Sequence, residues 1–168
     1  KDVFVDAYWA DDARIDERVR QQAEADSIAA VRKSSGWTGM YFGGTAFKKQ
    51  RPVEPAQYRD AANQAVGYMD AVTTSGIATG HSADLEKIKA FRDGVEDQTL
   101  AIASGITPDN VDDYLDLADA FLVATGINYS GDFYNLDPYQ LRRLLEKVRH
   151  YAAGQEKREH RASNRRGN

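Results

Sequence analysis

Five short apolar runs divide this chain, each closing in small or polar residues and each followed by a stretch with helical spacing. The runs are Val3-Phe4-Val5-Asp6, Met40-Tyr41-Phe42-Gly43-Gly44, Ala71-Val72-Thr73-Thr74-Ser75-Gly76, Leu100-Ala101-Ile102-Ala103-Ser104-Gly105 and Phe121-Leu122-Val123-Ala124-Thr125-Gly126. Their apolarity is continuous rather than alternating, which is the pattern of strands in a parallel sheet covered on both faces. Ligands of such sheets sit beyond the carboxyl ends of the strands. The Ser-Gly and Thr-Gly endings therefore mark where chemistry is expected.

Between the runs the spacing turns helical. Ile15, Val19, Ala23, Ile28 and Val31 form a stripe over Asp16 to Ser34, closed by Gly36. Tyr58, Ala61, Ala62, Ala65 and Val66 form a second between Pro55 and Gly67, and Leu85, Ile88 and Phe91 a third before Asp93-Gly94. Thr107-Pro108 reads as the cap and first turn of a fourth helix. Asp137-Pro138 with Gln140 opens a fifth, whose stripe is Leu141, Leu144, Leu145 and Val148.

The order is βα five times over, which implies an α/β fold with a parallel sheet and right-handed crossovers. Two architectures meet this. One is a five-stranded doubly wound sheet, but neither G-x-G-x-x-G nor a P-loop pattern is present to mark it. The other, favoured here, is a (β/α)8 TIM-type barrel of which this chain supplies about five C-terminal units. The abrupt start at Lys1 leads to the same expectation of further sequence upstream. Residues 1–153 are assigned to this partial barrel domain, and residues 154–168 to a basic, disordered tail.

Composition narrows the function classes. The net charge is −4, yet the segment from Gly154 carries five Lys or Arg against two Glu, leaving −7 on residues 1–153. An acidic body argues against nucleic acid as a partner. No apolar run approaches the ~20 residues of a membrane span, and a cytoplasmic location is expected. With no cysteine, and three histidines lacking metal-site spacing, no metal site is assigned, and the cofactor is left unknown.

Candidate site residues lie at the expected strand ends. Ser104, Gly105, Thr125 and Gly126 offer backbone N–H groups and hydroxyls to a phosphate, in the adjacent last two loops. Thr74, Ser75, Gly76, Thr79 and Gly80 form the richest polar loop for ligand contact, and His81 beside them is a candidate proton carrier. Lys48, first in Lys48-Lys49-Gln50-Arg51, would draw an anion into the mouth. Asp6, closing the first run, is a candidate base. Each has a plainer reading as a turn, a cap or a solvated charge.

The succession of motifs resembles the BtpA (SgcQ) family of barrel proteins, named from a factor in photosystem I biogenesis. The matching pieces are Asp70 to Gly76 with Thr79-Gly80, Ala103 to Val111, Ala118 to Gly126, and Leu136-Asp137-Pro138 with Leu141-Arg142-Arg143. The resemblance covers residues 37–150 and implies a (β/α)8 barrel similar to phosphate-binding barrels, without settled catalytic residues. Where a basic stretch is expected after the last strand, this chain has Gly126-Ile127-Asn128-Tyr129. The expected function is binding of a phosphorylated small molecule, a sugar phosphate or nucleotide-like compound, with an enzyme activity of undefined reaction left open. The alternative is a non-catalytic assembly or stability factor. Expected partners are that ligand and a second copy, or a segment that completes the barrel.

Overall fold

Four of the five apolar runs become strands in place, and the first strand forms just after its run. In the computed structural model, which describes residues 4–166 with side chains as far as Lys157, the strands are β1 (Ala7–Ala10), β2 (Met40–Gly44), β3 (Ala71–Thr74), β4 (Thr99–Ala103) and β5 (Ala120–Leu122). The helices are α1 (Ala23–Ser35), α2 (Tyr58–Ala65), α3 (Leu85–Val95) and α4 (Pro138–Arg166). All strand pairs are parallel, and their order is β1-β2-β3-β4-β5.

That order excludes the doubly wound sheet, one of the two architectures the sequence left open. A doubly wound sheet reverses its strand order to place helices on both faces. Here each strand pairs with the next in sequence, so right-handed crossovers put every helix on one side. The result is a curled half-barrel. On the helical side, Tyr41, Val72, Leu100 and Ile102 pack with Ile88, Phe91 and Val95 in the core. The inner side carries small residues at its centre, Gly44, Ala71, Thr73, Ala101 and Ala103, bordered by Trp9, Phe42 and Leu122.

The amino edge is tied by a repeated device. Asp70 Oδ2 accepts from the Tyr41 N–H (2.6 Å) and from Arg32 of α1 (2.5 Å). Asp119 Oδ2 accepts from the Leu100 N–H (2.8 Å) and from Arg92 of α3 (3.2 Å). Each carboxylate accepts from the N–H of the second residue of the preceding strand, while each arginine lies in the last turn of a helix, where a cation suits the dipole. This edge lies opposite the carboxyl ends of the strands, at the end of such sheets that serves stability.

Three expectations require correction. Val3 lies outside the described residues, and the exposed Phe4 and Val5 precede β1, because the ladder to β2 starts with Met40 N–H donating to Asp6 O at 2.9 Å. α1 begins at Ala23 rather than Asp16: the buried Gln22 amide donates to Asp16 O (2.8 Å) and Val19 O (2.7 Å), holding the preceding turn out of the helix. No α-helix follows Thr107-Pro108. Asn110 accepts from Thr107 N–H (2.8 Å) and donates to Gly105 O (2.8 Å), leaving one 3-10 turn at Val111–Asp113. Helix α4 runs from Pro138 to Arg166. Among the described residues, no helix is long and apolar enough to cross a membrane.

Candidate functional site

Because the strands are parallel, the loops after all five leave from one edge of the sheet, and the loops after β2, β3 and β4 meet at a lysine. Lys48 N–H donates to Ser75 Oγ at 2.8 Å, fixing the loop after β2 against the end of β3. Its ammonium donates to Thr79 Oγ1 at 3.2 Å and to Ser104 Oγ, beyond β4. The ammonium also lies 5.6 Å from the centre of the Phe47 ring, which is buried edge-on against Trp9 (5.9 Å). Among the described residues Lys48 makes no ion pair with a carboxylate. A half-buried cation thus rests on two neutral hydroxyls. Each hydroxyl accepts from the ammonium and keeps its own O–H to donate.

The backbone around this point is strained. Of five non-glycine residues with positive φ among those described, three flank Lys48: Ala46 (46°), Lys49 (70°) and Ser104 (84°). Such conformations persist only where the surroundings hold them, and they concentrate at functional sites. Ser104 and Gly105 (73°) are consecutive left-handed residues, turning the chain sharply off β4.

The other candidates divide into those the fold brings near this cluster and those it does not. Ser75 is fully buried, and its hydroxyl accepts from Lys48 N–H and donates to Gly76 O (2.8 Å), so its hydrogen bonds are used within the protein. Thr74 stands level with Ile102, on the side of the sheet that faces the helices, and is fully buried away from the mouth. Gly105 and Gly126 were expected to let backbone approach a ligand. Neighbouring loops approach instead: a Cβ on Gly105 would fall 2.0 Å from His81 O, and one on Gly126 would fall 1.9 Å from Ile106 O. Gly76 likewise receives His81 O. Gly80 (φ 80°) lies beside the Thr125 hydroxyl, which brings the loop after β5 to the edge of the cluster. The His81 ring is exposed, with Thr79 O at 3.4 Å as its hydrogen-bond partner. Asp6 precedes β1 and therefore sits at the amino edge, opposite Lys48; β1 ends instead in Asp11-Asp12. Arg51 is held by the buried Glu17 carboxylate (2.7 Å to each oxygen).

One residue absent from the sequence candidates is Lys87, in the first turn of α3. Asp84 caps that helix, accepting from Glu86 N–H at 2.8 Å. The Lys87 side chain is buried, and its Nζ donates to Ala46 O (2.6 Å) and Ser75 O (2.8 Å), clasping the loops after β2 and β3. Burial pulls its amine down to about 8, against the opposing charge of Asp84. Lys87 lies four residues before Phe91 and shares its buried face. A cavity of about 290 Å³ opens between the two loops, lined in part by Phe47, Lys48, Tyr58, Ser75, Gly76 and Lys87.

Comparison with known proteins places this geometry in context. The sequence pattern of the BtpA family matches residues 22–150. The sgc region protein SgcQ of Escherichia coli (strain K12) is 30% identical over 82 residues, covering 48% of this chain and 31% of SgcQ. The aligned part thus spans less than a third of that relative. Among solved structures, phosphoribosyl anthranilate isomerase of Thermus thermophilus superposes with a TM-score of 0.47 at 14% identity, over 75% of this chain and 68% of that one. A cube-shaped, highly porous cage designed by fusing symmetric oligomeric domains gives 0.41 at 17% identity, over 82% of this chain and 63% of that one.

Proposed function

The chain belongs to the BtpA family, and from that premise we propose that its half-barrel is part of a (β/α)8 barrel that binds a phosphorylated small molecule at the carboxyl ends of the strands. The observation that carries this reading is the Lys48 ammonium, held by the hydroxyls of Thr79 and Ser104 without a carboxylate partner among the described residues. A cation fixed by neutral oxygens keeps its full charge for a ligand, and a half-buried position strengthens its pull on an anion. Phosphate oxygens would accept from Lys48 and from the free O–H of Ser104 and Thr79. Thr125, beside Gly80 at the edge of the cluster, would bound the site toward β5. The ligand class that follows is a sugar phosphate or nucleotide-like compound.

The test compares ribose 5-phosphate with ribose by isothermal titration calorimetry. Binding is expected for the phosphorylated sugar alone, and Lys48→Gln is expected to weaken it about tenfold or more, the range for loss of a charge-assisted contact. Equal binding of both sugars, or of both proteins, would refute the proposal.

A further inference from the structure

We propose that the Lys87 amine is a carbonyl-capturing site, condensing with a small aldehyde or ketone that enters the cavity of about 290 Å³ between the loops after β2 and β3. This goes beyond anion binding at Lys48 and does not depend on it, because the amine and the cavity suffice.

The hydrogen bonds of Lys87 suit a neutral amine. Nζ donates to two carbonyls, Ala46 O and Ser75 O. A neutral amine has two N–H groups, so both acceptors stay satisfied when the third proton leaves, and a lone pair becomes free. The charged groups around it pull in opposite directions. Asp84 and the ring faces of Tyr58 (5.3 Å) and Phe91 (5.7 Å) favour the ammonium. Burial disfavours it, and so does a place in the first turn of α3, at the positive end of the helix dipole. Burial prevails, with the amine at about 8. Roughly a tenth is then neutral at pH 7, whereas an exposed lysine is almost wholly charged.

The chemistry balances without an added oxidant or reductant. The nitrogen lone pair attacks the carbonyl carbon, and the C=O π pair moves to oxygen. Both N–H protons then leave with that oxygen as one water, forming the C=N bond. Protonation of the imine nitrogen restores one N–H to the loop carbonyls. Desolvation of a lysine in this way is an established route to a nucleophilic amine.

The experiment treats the intact chain with glycolaldehyde and sodium borohydride at pH 8, followed by peptide mass mapping. Lys87 is expected to be reductively alkylated about tenfold faster than the exposed Lys33, because burial lowers the Lys87 amine to about 8. Lys87→Arg, which keeps donors for both carbonyls, is expected to lose that adduct and retain its circular dichroism. A Lys87 rate no greater than that of Lys33 in the unmutated chain would overturn the proposal, whether or not the variant folds.

Discussion

Lys48 reaches from the loop after β2 to the Ser104 hydroxyl beyond β4, passing over the end of β3. One flexible side chain thereby joins three loops, and its charge is left facing the mouth of the half-barrel. Ser104 holds a left-handed conformation (φ 84°) to meet it. Left-handed backbone costs a residue with a Cβ roughly 1–2 kcal/mol. Ser104→Gly is therefore expected to be about 1 kcal/mol more stable than Ser104→Ala in urea unfolding, while both lose phosphate affinity equally. Equal stability of the two variants would show that this backbone is not strained.

Gly105 and Gly126 are expected to act through packing. Their substitution by alanine drives a Cβ into His81 O and Ile106 O respectively. Backbone cannot yield as a side-chain tip does, so each variant should lose about 3 kcal/mol or more. Urea midpoints check this. A loss below about 1 kcal/mol would mean that the loops move apart easily.

At the amino edge, Asp119→Ala removes the acceptor for the Leu100 N–H, at the start of a strand whose side chain is fully buried. The expected cost is about 1–3 kcal/mol, mostly from that unpaired donor. The exposed ion pair to Arg92 contributes little. Arg92→Met should accordingly cost much less than Asp119→Ala, and the reverse order would contradict this division.

Lys87 carries a pH signature. Its folded value, about 8, lies below the unfolded value near 10.5. Between these the unfolded chain binds the extra proton, so stability rises with pH across that window. The slope is at most about 1.4 kcal/mol per pH unit. Burial raises Tyr41, Tyr58 and Tyr114, and these oppose the trend above about pH 10. The informative measurement is therefore the stability of the parent chain minus that of Lys87→Met from pH 8 to 9.5. A rising difference is expected; a flat one would mean that Lys87 is not perturbed.

Much of the fold was legible because β3 and β4 are buried on both faces, and β2 along most of its length, so that they read as unbroken apolar runs. β1 was misplaced for the opposite reason. It is an exposed edge, and Ala7-Tyr8-Trp9-Ala10 carries no stronger signal than the Val3-Phe4-Val5 before it. That slip carried Asp6 to the wrong end of the sheet. The missing helix after Thr107 depends on Asn110 bonding back to Gly105 O and Thr107 N–H within its own loop, and across to the Ser82 hydroxyl, which spacing does not reveal. At the site, Lys48, Thr79 and Ser104 were readable as strand-end polar residues, although their meeting depends on the curl of the sheet. The glycines were readable as places of close approach, but sequence does not say whether a ligand or a neighbouring loop approaches. Lys87 was hidden by its charge, since a lysine on a buried stripe counts against the stripe.

The most direct measurement is a titration of the isotopically labelled chain with inorganic phosphate and with ribose 5-phosphate, followed by amide chemical shifts. Saturable shifts at Lys48, Thr79, Ser104 and Gly105, abolished by Lys48→Gln, are the expected result. Shifts confined to α4 or to the amino edge, or none at these four residues at millimolar ligand, would contradict phosphate binding at the carboxyl ends of the strands.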